Sequence, residues 1–400
     1  MDQAETSGAP SEALNHSNST ATYVYRPVES ARTIRLLELY QGAHNDPLRG
    51  NLFHLGLDDT SDEDSSPSWP NVWLDEETKH TATSYEALSY VWGPPSYTHS
   101  LSCVEGTIPI TPSLDEALRR IRFENRHRIV WADGVCINQH DIQERGHQVK
   151  LMGVIYDRAT KVLVWLGPDA GNRARESFDY FKGYHSHIND TGDRLVLDMV
   201  RYCQWFERLW VVQEVALSRS AVAMWGNEEM DFGPLAEAIL DYDKRLPKHT
   251  LCAADNYAKR RSVALGTPID ILASARGLKC ADDHDRVYAL LGFSSLSPRY
   301  MRKMDMAIEP DYTLPLHDLY YEVAIRAIEG GAFSELLTQV DHGGVLARWP
   351  TGLPSWVPDW RKSIALPPRI DLGRVTPSIN KATASLNITG YCFDVLLKGP

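Results

Sequence analysis

Two short stretches put polar and aromatic side chains where strand-like apolar runs stop. YEALSYVWG (85–93) reads as a buried strand, yet it carries Ser89, Tyr90, Trp92 and Gly93 up to a Pro-Pro turn. RIVWADG (128–134) ends in Asp133, and the following GVCINQHD supplies Asn138 and Gln139. In an open α/β sheet, ligands bind outside the carboxyl ends of the strands. Tyr90, Trp92, Gly93 and Asp133 are therefore expected at one rim, outside the deep core. The same residues can instead cap strand ends or hold loops through side-chain to backbone bonds.

Glu214 is the carboxylate with the most apolar surroundings, in WFERLWVVQEVAL. On one continuous helix, Phe206, Trp210 and Glu214 share a face. Facing inward, the acid is desolvated and its pKa rises, which marks a candidate site. The alternative is a structural glutamate paired with Arg208 or Arg219. His140, Glu144 and His147 also fall on one helix face, but there is no HExxH pattern or third strong ligand. They read as a solvated polar face, and no metal site is expected. Cys136 beside His140 suggests an activated thiol, but no orienting third group is evident, and a small packed thiol fits better. No phosphate loop and no GxGxxG appears, which argues against an ATPase or a Rossmann dehydrogenase. DDHD (282–285) reads as a solvated helix start.

Apolar strands alternating with helical periods must position these groups. TIRLLELYQG, EALSYVWG, RIVWADG, KVLVWLGP and AVAMWG read as strands. SCVEGTIPI reads as a hairpin turning at Glu105-Gly106. TPSLDEALRRIRF starts a helix with Pro112 and a Ser113/Glu116 capping box. In DIQERGHQVKLMGVIYDRA, Val149, Met152, Ile155 and Tyr156 form the apolar stripe of another helix. WFERLWVVQEVALSRS (205–220) reads as one strong helix. The pattern predicts an α/β domain with a largely parallel sheet over residues 31–226. Residues 227–400 read as a mainly helical C-terminal region, closed by a strand-like ASLNITGYCFDVLL and plausibly incomplete. Residues 1–22 have few groups to bury and are expected to be disordered. The acidic LDDTSDEDSSPSWP (57–70) is expected to be a solvated loop.

The net charge of −12 and pI near 5.6 argue against an electrostatic grip on nucleic acid or anionic lipid. No run of about 18 apolar residues suggests a membrane span, and no signal peptide is evident. Six scattered cysteines without a C-x-x-C pair read as reduced thiols of a cytoplasmic protein.

Three blocks together resemble the signature motifs of the fungal heterokaryon incompatibility (HET) domain. They are YEALSYVWG, VWADGVCINQHDIQERGHQVKLMGVIYDRATKVLVWLG and WFERLWVVQEVALSR. Flanking IRLLEL, DDHDRVYALLGF, IEPDYT and LPSWVPDW agree, so the likeness covers roughly residues 23–397. One departure is Gly134-Val135, where the family more often has alanine or serine and then leucine. It is expected to be neutral. The resemblance implies nonself recognition and programmed cell death, with self-association and an unknown protein trigger.

The HET domain is in turn remotely similar to the TIR domain, which implies a TIR-like parallel sheet flanked by helices. Many TIR proteins cleave NAD between nicotinamide and ribose, using a glutamate in a pattern like W-x-x-x-E. Trp210 and Glu214 stand at that spacing. The implied site has Glu214 as the catalytic glutamate, whose carboxylate stabilises or traps the oxocarbenium-like ribose. Ser89, Tyr90, Trp92, Gly93, Asp133, Asn138, Gln139, Arg145 and Trp210 surround the nucleotide, with Arg145 meeting phosphate. NAD would be a substrate, and no cofactor is expected. TIR adaptors show that the fold also serves non-catalytic signalling.

Overall fold

The computed structural model describes residues 21–28, 30–57, 84–183, 190–241, 246, 251–262, 267–295, 308–340, 353–362 and 376–389. Of the N-terminus expected to be disordered, residues 1–20 lie outside the described residues, whereas Thr22 bridges to Thr107; nearly all of the acidic 57–70 loop also lies outside them.

Among the described residues, nine strands precede residue 232. They are β1 (Thr33–Leu39), β2 (Gly50–Gly56), β3 (Glu86–Ser89), β4 (His99–Cys103), β5 (Gly106–Ile110), β6 (Arg128–Trp131), β7 (Lys161–Gly167), β8 (Ala221–Trp225) and β9 (Glu228–Asp231). Seven of them form one sheet in the order β2-β1-β6-β3-β7-β8-β9. β6, β3, β7 and β8 are mutually parallel, and antiparallel β1 and β9 flank them, with β2 outside β1. The sheet is therefore mixed around a parallel centre. The central strands are apolar on both faces, as a covered parallel sheet requires. Val162, Val164, Ala87 and Leu88 are fully buried. β4 and β5 form the expected separate hairpin, with its turn at Val104-Glu105, one residue before the expected Glu105-Gly106.

Helices α1 (Pro112–Ile121), α2 (Asp133–Cys136), α3 (Ile142–Arg158), α4 (Ala174–Lys182), α5 (Asp190–Tyr202) and α6 (Val211–Ala216) link these strands. Then come α7 (Phe232–Asp241), α8 (Cys252–Ser262), α9 (Pro268–Ser274), α10 (Asp285–Tyr288), α11 (Leu316–Glu329) and α12 (Phe333–Leu337). A hairpin of β10 (Thr376–Asn380) and β11 (Ser385–Thr389) follows. The rest of the C-terminal apolar stretch lies outside the described residues. Among those described, the region after β9 is mainly helical, as its periodicity predicts.

Helix α3 shows why the site is held firmly. Asp141 caps it by accepting from the Gln143 and Glu144 amides. Val149, Met152, Ile155 and Tyr156 are all buried, as the stripe predicts. Gly153 lets the helix backbone approach Gly292. A Cβ at Gly153 would lie 2.5 Å from the Gly292 Cα. For α1 the cap differs from expectation. Thr111 accepts from the Leu114 amide, while the Ser113 hydroxyl donates to the Val91 carbonyl. Ser113 thus ties the helix start to the strand-end loop.

The segment 205–220 is not one helix. Gln204–Glu207 makes a 3₁₀ turn, Arg208 is extended, and α6 starts only at Val211. The Leu209 amide donates to the Lys279 carbonyl, and the Lys279 amide donates back to the Glu207 carbonyl. That bridge takes backbone groups a helix would use. Phe206, Trp210 and Glu214 consequently do not share a helix face.

Candidate functional site

Glu214 sits on α6, a short helix buried on every side. The residue is 1% exposed. Its Oε2 accepts a hydrogen bond from the Ser89 hydroxyl, at the end of β3. Ser89 accepts in turn from the Trp205 indole at 2.8 Å. Burial pushes the Glu214 pKa up to about 7, against the charge of Arg208 and the Ser89 bond. Arg208 donates instead to the Tyr90 carbonyl, and no ion pair joins it to Glu214 among the described residues. The Glu214 carboxyl is thus a desolvated acid held by one hydroxyl.

A cleft of about 650 Å³ opens outside the carboxyl ends of β3 and β6, where the parallel centre of the sheet predicts one. Trp92 and Gly93 form its rim on the β3 side, and Asp133 and Gln139 come from the β6 side. Arg145 on α3, with Arg208 and Trp210 before α6, completes this wall. The Trp92 indole donates to Asp133 Oδ2 at 2.7 Å, and Gln139 donates to the Asp133 carbonyl at 2.9 Å. Asp133 Oδ1 is buried without a hydrogen bond. Burial raises the Asp133 pKa, opposed by the charge of Arg208 and the Trp92 bond.

The opposite wall comes from residues far along the chain: Lys279, Cys280, Asp282, Asp285 and Tyr312. Asp285 accepts from the Trp210 indole at 3.1 Å and from the Tyr312 hydroxyl at 2.8 Å. The Arg145 guanidinium lies 4.3 Å from the Tyr312 ring centroid. His284 anchors this wall. Its Nδ1 lies 2.6 Å from Asp282 Oδ1 and its Nε2 lies 2.7 Å from the Leu314 carbonyl. Both partners are acceptors, so only the imidazolium satisfies both. Burial works against that charge, but the Asp282 bond, the Leu314 carbonyl and nearby carboxylates outweigh it and raise the pKa above 6.5. The folded state then holds the proton more tightly than the unfolded chain. The stabilisation is complete below pH 6.5 and is lost as pH rises through the folded pKa. Thermal melts from pH 5.5 upward are expected to show this loss in the wild type and a flatter profile in His284→Gln; parallel profiles would contradict it.

Of the predicted site residues, the cleft gathers Trp92, Gly93, Asp133, Gln139, Arg145 and Trp210. Ser89, Tyr90, Asn138 and Glu214 do not line it. Tyr90 is only 3% exposed and not at the rim. It turns inward because Gly134 leaves room: a Cβ there would stand 2.5 Å from the Tyr90 hydroxyl. Gly134 is therefore matched to Tyr90, not a neutral change. Asn138 keeps its loop in place, its amide donating to Glu144 at 2.7 Å. Glu144 itself is buried, not solvated, in a bidentate pair with Arg35. Cys136 is fully buried, with its thiol pushed up to about 12 by burial, so it is a packed and unreactive thiol. Asp285, read as a solvated helix start, is a buried wall residue. The apolar RVYALLGF directly after it carried the signal, since Val287 and Tyr288 bury that helix. Among the described residues, no cluster of His, Cys, Asp or Glu could hold a metal. No helix among them is long and apolar enough to cross a membrane.

The sheet edge, its loops and α6 define an α/β domain with a cleft at the carboxyl ends of its parallel strands. Residues 85–214 match the family described as heterokaryon incompatibility protein (HET). The match runs from the start of the β3 segment to Glu214 itself. The chain is similar to heterokaryon incompatibility protein 6, OR allele, of Neurospora crassa, with 25% identity over 377 residues. That alignment covers 70% of this chain and 54% of the relative, so the chain spans about half the length of the curated protein it matches. No solved structure matches.

Proposed function

We propose that this chain is a heterokaryon incompatibility effector that triggers programmed cell death in the cytoplasm by cleaving NAD at the nicotinamide-ribose bond. The observation that carries this reading is the cleft at the carboxyl ends of parallel strands, walled by tryptophans and carboxylates above a buried acid. The order β6-β3-β7-β8 puts the first parallel strand second, as in doubly wound nucleotide-binding sheets. This supports a TIR-like ancestry for the domain of residues 31–226. The Asp133 carboxyl, held by the Trp92 indole at the wall, suits a ribose hydroxyl or a carboxamide.

In the reaction the ribose C1′–N bond breaks, and its electron pair leaves with neutral nicotinamide. The oxocarbenium-like ribose is stabilised by nearby carboxylates and is captured by water, which gives up a proton. Glu214, with a pKa near 7, is suited to accept it. Glu214 reaches a ligand only when its Ser89 bond opens, so a rearrangement on self-association or trigger binding is part of this reading.

A second reading is a non-catalytic signalling module that acts by self-association. Its support is that Glu214 is closed off by Ser89 and absent from the cleft lining. Purified protein incubated with NAD separates the two, with free nicotinamide as the readout. The enzyme reading expects release that falls at least about a hundredfold in both Glu214→Ala and Glu214→Gln. Release that survives both substitutions removes Glu214 from the chemistry. No release from a self-associated sample leaves the adaptor.

A further inference from the structure

Arg145 is the unusual cation of the cleft. It lines the cavity, yet its guanidinium forms no hydrogen bond or ion pair among the described residues, and its Nε is buried without a partner. Asp282 and Asp285 are close enough to act on its charge, but neither pairs with it. Its position is set by the Tyr312 ring beneath it. An arginine fork with free donors fits an oxyanion, which it binds bidentately. Asp285, held by the Tyr312 hydroxyl from the same ring, is the complementary half. Its two oxygens accept one bond each, from Trp210 and Tyr312. A carboxylate has about four acceptor sites, so about two remain for donors from the cleft. Paired donors beside an oxyanion are what a ribose diol with its 5′-phosphate presents.

We propose that Tyr312 braces a ribose-phosphate subsite for the adenosine half of the dinucleotide, in which Arg145 takes phosphate oxygens and Asp285 takes the adenosine ribose diol. The assignment rests on the nucleotide reading above and adds a selectivity to it. A 2′-phosphate would stand against Asp285 and Asp282, so the subsite accepts NAD and rejects NADP. It also gives the residues after the matched segment a direct part in recognition.

Calorimetric titration of the full chain with NAD, NADP and nicotinamide riboside tests this. The wild type is expected to bind NAD at least about tenfold more tightly than NADP. Asp285→Asn weakens NAD and narrows that ratio. Arg145→Ala weakens NAD about tenfold or more but leaves the riboside, which has no phosphate, unchanged. Arg145→Lys keeps the charge over the ring and loses the planar fork; it should also weaken NAD and serves if the alanine variant does not fold. Wild-type binding of NAD that neither substitution changes overturns the subsite and leaves the nucleotide reading standing. A wild type that binds no NAD overturns both.

Discussion

Replacing Glu144 by alanine is expected to destabilise the fold by about 3–5 kcal/mol. Arg35 on β1 and Glu144 on α3 are both buried, with side chains 1% and 6% exposed. Arg35 Nη2 donates to Glu144 Oε2 at 2.8 Å, and Nη1 makes the parallel contact to Oε1. Arg35 also reaches the Cys136 carbonyl at 3.3 Å and the Arg26 carbonyl. The alanine variant leaves a guanidinium charge in a low-dielectric interior and frees the Asn138 amide. It therefore loses far more than one ordinary hydrogen bond. Removing both charges together, with Arg35→Met and Glu144→Leu, should recover most of the loss, because a well-packed apolar pair costs no desolvation. Urea unfolding of the single and double variants reads this directly. A single-variant loss below about 1 kcal/mol would show that the pair is not desolvated.

Glu214 is expected to make the protein less stable as pH rises from 4.5 to about 7. The folded-state pKa is raised, so in that window the folded protein keeps a proton that the unfolded chain has released. Stability then falls with increasing pH. A shift from 4.5 to about 7 amounts to roughly 3 kcal/mol once both states are ionised. The comparison of wild type with Glu214→Gln isolates this contribution, since the other titrating groups are common to both. The wild type should lose on the order of 3 kcal/mol more than the variant between pH 4.5 and pH 8. Identical pH profiles would mean that the carboxyl is not desolvated. A cost of this size at neutral pH, carried by a residue that could be a neutral amide, is the mark of a functional acid.

The parts legible in the sequence are those set by local pattern. The β3, β6 and β7 strands follow from short apolar runs ended by Gly or polar residues, and α3 from its spaced stripe and Asp141 cap. The grouping of Trp92, Asp133 and Gln139 at one rim follows from strand ends, whereas Arg145 on α3 is joined to them only by the site that the resemblance implies. What could not be read depends on partners distant in the chain. The break between the 3₁₀ turn and α6 is made by Lys279, some seventy residues later. Glu144 looks like a solvated helix residue until Arg35, 109 positions earlier, is placed against it. Tyr90 turns inward because residue 134 has no side chain. The Asp285–Tyr312 wall was hidden for the same reason, since an acidic run before a helix reads as solvent-facing unless its tertiary neighbours are known.

Hydrogen exchange of the full chain with and without NAD tests most directly whether the two walls form one binding cleft. Slower exchange is predicted together in residues 91–95, 133–145 and 279–285 on addition of NAD. Unchanged exchange in all three segments would contradict it.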